Sequence, residues 1–146
     1  MTERQQVAAA AIIRGSGAET EIFTARRTEP PHLAGGWEFP GGKVDPEDVS
    51  YEEALRRELR EEIGVEVDIV TSIAGNLPGG GWAMGTDYAL NVFLCRIQDG
   101  KEPELLEDHD AMAWVSINDA ESVAWLPVDL PPLRAAIEWV RSHPEA

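Results

Sequence analysis

Cysteine is nearly missing: Cys95 is alone among 146 residues, which excludes an intramolecular disulfide and any cysteine-built zinc site. Its setting in Val92-Phe93-Leu94-Cys95 reads as a strand, and a thiol there is expected in the core. Positive charge is scarce too. Twelve Lys and Arg stand against 27 Asp and Glu, for a formal net charge of -15, and a field of that sign repels a nucleic-acid backbone. Polymeric DNA or RNA is therefore not an expected partner, whereas a small anion is, provided a bound divalent cation reverses the local potential. No apolar run approaches the roughly 20 residues of a membrane helix. Residues 7–13 stop at Arg14-Gly15 and follow Glu3-Arg4, a poor signal peptide, so the default expectation is a cytoplasmic protein with no membrane partner. Repeats, low-complexity tracts and linkers are absent as well. With 43% hydrophobic and 27% charged residues, one packed domain spanning 1–146 is expected.

Turn-forming residues are plentiful, with 13 glycines and 10 prolines. Residues 7–13 and 21–25 read as strands joined through Gly15-Ser16-Gly17 into a hairpin. Residues 29–42 are irregular, with Pro30-Pro31, Gly35-Gly36 and Pro40-Gly41-Gly42 around the short strand-like Trp37-Glu38-Phe39. Such glycine density implies backbone in close approach to something. A helix then starts from Asp48 or Ser50, buries a stripe of Ala54, Leu55, Leu59 and Ile63, and ends at Gly64. Residues 65–73 form a strand, 75–85 a glycine-rich loop able to serve as a lid, 88–97 and 111–116 two more strands, and 133–141 a helix introduced by Pro131-Pro132. Strands interleaved with two helices predict an α/β fold in which a mixed sheet is sandwiched between α-helices.

Glu58, Glu61 and Glu62 stand at i, i+3 and i+4 within Arg57-Glu58-Leu59-Arg60-Glu61-Glu62-Ile63-Gly64-Val65, so they share one helical face. Three like charges there repel unless cations or arginines compensate them, and oxygen-rich clusters suit magnesium or manganese. A solvated surface helix, salt-bridged through Arg56, Arg57 and Arg60, has the same composition. The glycine turn upstream favours a metal site, because a carbonyl of Gly41 or Gly42 can complete a shell that the helix begins. A calcium-binding loop pattern is not present.

The segment 42–65 resembles the Nudix box. The resemblance implies the Nudix fold, a magnesium cofactor with manganese as substitute, and attack of a metal-activated water on a phosphorus of a nucleoside diphosphate linkage. It makes Glu61 and Glu62 principal metal ligands, Glu58 a ligand or water-orienting base, Gly41 a backbone ligand, and Arg57 the arginine that steadies the glutamates by pairing with an earlier acid. Here the sequence departs from the pattern: one additional residue separates Gly42 from Arg57, and both Glu47 and Asp48 are candidates for that acid. Outside the box, Arg26-Arg27, His32, Trp37-Glu38-Phe39-Pro40 and Trp125-Leu126-Pro127-Val128-Asp129 are similar to the MutT-type branch. By that similarity Arg27 contacts substrate phosphates, His32 joins the substrate site, Phe39 or Trp37 stacks on a base, and Asp129 reads the nucleobase. Asp108, six residues before Trp114, supplies a further carboxylate to the metal or water. A carboxylate only accepts hydrogen bonds, so Asp129 favours a donor-rich base edge, such as the cytosine amino group or the N–H groups of 8-oxoguanine. The implied reaction is hydrolysis of a nucleoside triphosphate, cytidine-type or 8-oxoguanine, to monophosphate and pyrophosphate. The alternatives are a hydrolase of another nucleoside diphosphate derivative, such as a dinucleotide or nucleotide sugar, and an inactive nucleotide sensor. Monomer and homodimer both remain open.

Overall fold

A computed structural model describes residues 3–145. Strand β1 (Gln5–Arg14) is the axis of the sheet. Residues 8–13 of that strand are all buried, as expected of a strand covered on both faces. Alternation of side chains divides it. Ala8, Ala10 and Ile12 join Leu55, Leu59 and Ile63 of helix α1 (Tyr51–Ile63), whereas Ala9, Ala11 and Ile13 join Leu133, Ala136, Ile137 and Val140 of helix α2 (Leu130–Ser142). The two helices thus cover opposite faces, giving the α/β/α sandwich read from the sequence.

The sheet is mixed. Strand β7 (Tyr88–Ile97) runs parallel to β1, pairing Gln5 with Tyr88 through Ile12 with Cys95. Strands β5 (Val67–Ile73) and β6 (Trp82–Met84) run antiparallel to β7. On its other edge β1 changes partner along its length. Its early part pairs with β4 (Gly41–Lys43), and Ile13 and Arg14 pair with β2 (Glu21–Arg27). Strand β2 in turn pairs antiparallel with β3 (Trp37–Glu38) and β8 (His109–Ser116). Strand β4 lies against α1, and His109 at the start of β8 meets Glu38 of β3.

Several elements differ from the expectation. The glycine-rich stretch 75–85 is hydrogen-bonded, with Gly75 N–H donating to Gly80 O at 2.8 Å and Leu77 N–H to Gly81 O at 3.0 Å. Its end forms β6, and the Trp82 indole N–H donates to Ile73 O at 2.8 Å, so this segment is a pinned turn and strand. Strand β5 begins at Val67, and β8 begins at His109. Helix α2 begins at Leu130 because Pro131 and Pro132 sit in its first turn, where a missing N–H leaves no bond unmade. Cys95 is buried in β7 as expected, and burial pushes its thiol pKa up to about 12. Among the described residues no helix is long and apolar enough to cross a membrane.

Candidate active site

The site is assembled on α1 and the glycine strand beneath it. Ser50 is the N-cap of α1, its hydroxyl accepting from Glu53 N–H at 3.1 Å, and Gly64, at φ 69, closes the helix with its N–H on Leu59 O. Between these caps Ala54, Leu55, Leu59 and Ile63 point into the core and carry Glu62 inward with them. Glu62 is only 7% exposed, and Gly41 N–H donates to its Oε1 at 2.9 Å. Backbone proximity requires glycine at 41, and at 42 glycine leaves room for the Glu58 carboxylate. A Cβ on Gly41 would lie 2.1 Å from Ala8 O, and one on Gly42 would lie 2.4 Å from the Glu58 carboxyl carbon. Bare backbone lets β4 pair with β1 while the Glu58 carboxylate rests upon it.

Arg57 binds the acids together. It forks onto Asp48, Nε to Oδ1 at 3.2 Å and Nη2 to Oδ2 at 2.9 Å. Its Nη1 donates to Glu58 Oε1 at 3.0 Å and lies 3.5 Å from Glu61 Oε2. The pairing acid is therefore Asp48, not Glu47. Before α1 the chain turns, with Asp48 N–H donating to Asp45 O and Asp45 N–H to Asp48 Oδ2, and Val49 is 88% exposed. The hydrogen bond from Arg57, with that from the Asp45 amide, holds the Asp48 carboxyl below the usual carboxylate range. Asp48 and Glu58 in turn push the Arg57 pKa upward.

On the opposite side of Glu62 lies a second set of charges. Glu38 of β3 accepts from Arg27 Nη1 at 3.0 Å through Oε1, and its Oε2 lies 2.9 Å from His109 Nε2. The other nitrogen of His109 is 3.1 Å from Glu107 O. Asp129, 5% exposed, accepts from Phe39 N–H at 3.3 Å. Burial pushes the carboxyls of Glu62 and Asp129 up to about 8 each. The Gly41 N–H and His109 oppose this at Glu62, while Phe39 N–H and Arg27 oppose it at Asp129, and Glu38 worsens it at both. Burial also raises Glu58, against Arg57. For His109 burial works downward, but the Glu38 hydrogen bond and the charges of Glu62 and Glu38 outweigh it and raise the imidazole.

The structure therefore brings Arg57, Glu58, Glu61, Glu62 and Gly41 together, with Arg27 and Asp129 in the adjoining set. It separates three other expected residues. Phe39 is 4% exposed, with its ring centroid 5.0 Å from that of Trp125 in the core beneath α2. Its ring is not open to a base, and its contribution is the amide on Asp129. His32 is exposed in the turn before β3 and makes no hydrogen bond among the described residues. Asp108 is exposed at φ 60 and takes part through its carbonyl, which accepts from Thr28 N–H and Oγ1 at 3.1 Å each. Glu38 and His109 were not anticipated as site residues. The available signal was Glu38 itself, a charge between two aromatics on a strand heading inward.

The carboxylates fit a hard divalent cation: their donors are oxygens, and burial disfavours the ionised forms of Glu58 and Glu62 unless a cation offsets it. As the side chains stand, no three His, Cys, Asp or Glu groups among the described residues converge as a ready-made cation site, since Arg57 holds Glu58 and Glu61 on one amino group.

Acids gathered on one helix face over a glycine strand, with arginines on both flanks, define a site suited to cleaving phosphoanhydrides. The NUDIX domain family matches residues 4–139, and the chain belongs to that family. The solution structure of the Escherichia coli ORF135 protein superposes with a TM-score of 0.76 at 29% identity, covering 99% of this chain and 96% of that one. The CTP pyrophosphohydrolase of Escherichia coli K12 is 33% identical over 126 residues, 86% of this chain and 87% of that protein. A Mycobacterium tuberculosis H37Rv protein provisionally named 8-oxo-dGTP diphosphatase 2 is 38% identical over 125 residues, 86% of this chain and 82% of that protein. The chain is thus a hydrolase acting on acid anhydrides.

Proposed function

We propose that this Nudix hydrolase converts a nucleoside triphosphate into a nucleoside monophosphate and pyrophosphate, with magnesium or manganese held by Glu58, Glu61, Glu62 and the Gly41 carbonyl. The observation that carries the reading is the gathering of Glu58, Glu61 and Glu62 on α1 over the glycine strand β4, with Glu62 buried against the Gly41 N–H. Burial disfavours the ionised form of Glu62 and pushes its pKa up to about 8, and a divalent cation beside it would restore the carboxylate. Arg57 is shared among Asp48, Glu58 and Glu61, and Arg27 and His109 both pair with Glu38. A divalent ion bound there would neutralise the polyphosphate and acidify an attacking water. The chain's own residues supply the rest. Glu58, its pKa raised by burial and checked by Arg57, is suited to accept a proton from that water. Arg27 offers its outer amino group to phosphate oxygens, and Asp129 is the residue assigned to the base.

The relatives' names support a cytosine or 8-oxoguanine base. The test is a panel of CTP, dCTP, 8-oxo-dGTP, a dinucleoside polyphosphate and a nucleotide sugar, incubated with magnesium and followed by phosphorus NMR. Monophosphate plus pyrophosphate from one of the triphosphates is expected. Turnover confined to the dinucleotide or sugar, or binding without turnover, would refute it.

A further inference from the structure

Strand β2 pairs regularly with β8 from Glu21 opposite Ser116 to Arg26 opposite Ala111, and then the register shifts so that Arg27 faces His109. Asp110 is the residue left over, its carboxylate turned to Arg26 Nε at 2.7 Å. Such bulges re-aim side chains. Without this one Asp110 would face Arg27, and two carboxylates, Asp110 and Glu38, would flank one guanidinium. With it, the imidazole arrives from β8 and Glu38 arrives from β3, where it pairs beside Ala25. Each Glu38 oxygen then has its own partner, Oε1 with Arg27 and Oε2 with His109. The ring is fixed from behind by Glu107 O, and the Arg27 Nε donates to Glu29 O at 2.7 Å. Among the described residues the Arg27 Nη2 group makes no hydrogen bond, and the side chain is 34% exposed.

We propose that His109 is a positioning residue that acts through Glu38 to hold the Arg27 guanidinium with its free edge toward the polyphosphate of the substrate. The inference rests on the triphosphate reading above. A carboxylate anchored at one oxygen rotates about its last bond, whereas one anchored at both defines the plane in which a guanidinium must lie. His109 never touches the phosphates in this scheme. Its removal weakens binding of the anion while leaving in place the Gly41 N–H and Arg57 contacts that hold the carboxylates of α1.

The test is a double-mutant cycle between His109 and Arg27, read on inorganic tripolyphosphate binding with magnesium by calorimetry and on steady-state kinetics with the best triphosphate. His109→Ala is expected to weaken tripolyphosphate binding and raise KM by about 10-fold, as for loss of one charged hydrogen bond, with kcat within about threefold. In an Arg27→Ala background the same change is expected to do almost nothing. His109→Gln, which returns an amide N–H near the Nε2 position, is expected to recover most of the loss. Independent, multiplying effects, a fall confined to kcat, or wild-type protein that fails to bind tripolyphosphate would overturn the proposal. If the cycle is coupled on tripolyphosphate while no nucleoside triphosphate is hydrolysed, the relay stands and the substrate reading falls.

Discussion

At the scale of the residue, Glu62 is a costly group to bury and the one whose chemistry is most exposed to test. Its folded pKa lies near 8, against an ordinary value of 4.5. A carboxyl raised on folding contributes stability when neutral, present below about pH 4.5 and lost as pH rises through about 8. Without metal, stability should therefore fall across that window, and Asp129 adds to the fall. Glu62→Gln keeps an acceptor for Gly41 N–H and removes the charge. In EDTA it should unfold at higher temperature than wild type at pH 8, being more stable by on the order of 2 kcal/mol, with the gap closing near pH 4. With magnesium the same variant should lose about 1000-fold in turnover. Thermal melts that show no pH-dependent gap would mean that Glu62 is not charged within a dry site. Gly42→Ala addresses the neighbouring contact: its Cβ would lie 2.4 Å from the Glu58 carboxyl carbon. Displacement of that carboxylate should cost about 100-fold in kcat with circular dichroism unchanged; wild-type kcat would deny Glu58 its place on β4.

Helix α1 and the turn before it form the element that turns local sequence into site geometry. The helix was legible because each signal agreed with the others: Ser50 as cap, an apolar stripe at helical spacing, and glycine after the last turn. The choice between Glu47 and Asp48 was not legible, because it depends on which carboxylate the turn before α1 presents to Arg57. Asp48→Ala should release Arg57 from its fork, lowering kcat by about 10-fold, while Asp48→Glu restores most of it. If both behave alike, the fork has no role. By contrast Ser50→Ala should lower stability by about 1 kcal/mol with kcat unchanged, measured by urea titration and initial rates. Strands β4 and β6 escaped the sequence reading for a different reason. Three-residue strands have no periodicity of their own and exist only because β1 and β7 offer edges to pair with. His109 escaped because a bulge changes which residue faces Arg27, and alternation in sequence carries no mark of the register shift there.

At the scale of the whole molecule, a mixed sheet between helices was readable from strands interleaved with two helices, and the burial of residues 8–13 of β1 on both faces agrees with it. The acidic surface is a separate global property. With a net charge of -15, divalent ions will gather loosely over much of the protein, so stabilisation by magnesium alone says little about where it binds. Binding at one site to the native state still has a defined signature, about 2.7 kcal/mol at 100 times Kd, and that part should disappear in a Glu58→Gln, Glu62→Gln double variant. The account as a whole depends on α1 and β4 gripping a divalent ion. The most direct measurement is paramagnetic broadening of amide resonances by substoichiometric manganese. The amides of Gly41, Gly42, Glu58, Glu61 and Glu62 should broaden first and recover on addition of excess magnesium. Early broadening centred on the acidic stretch 102–110, with those five amides untouched, would contradict it.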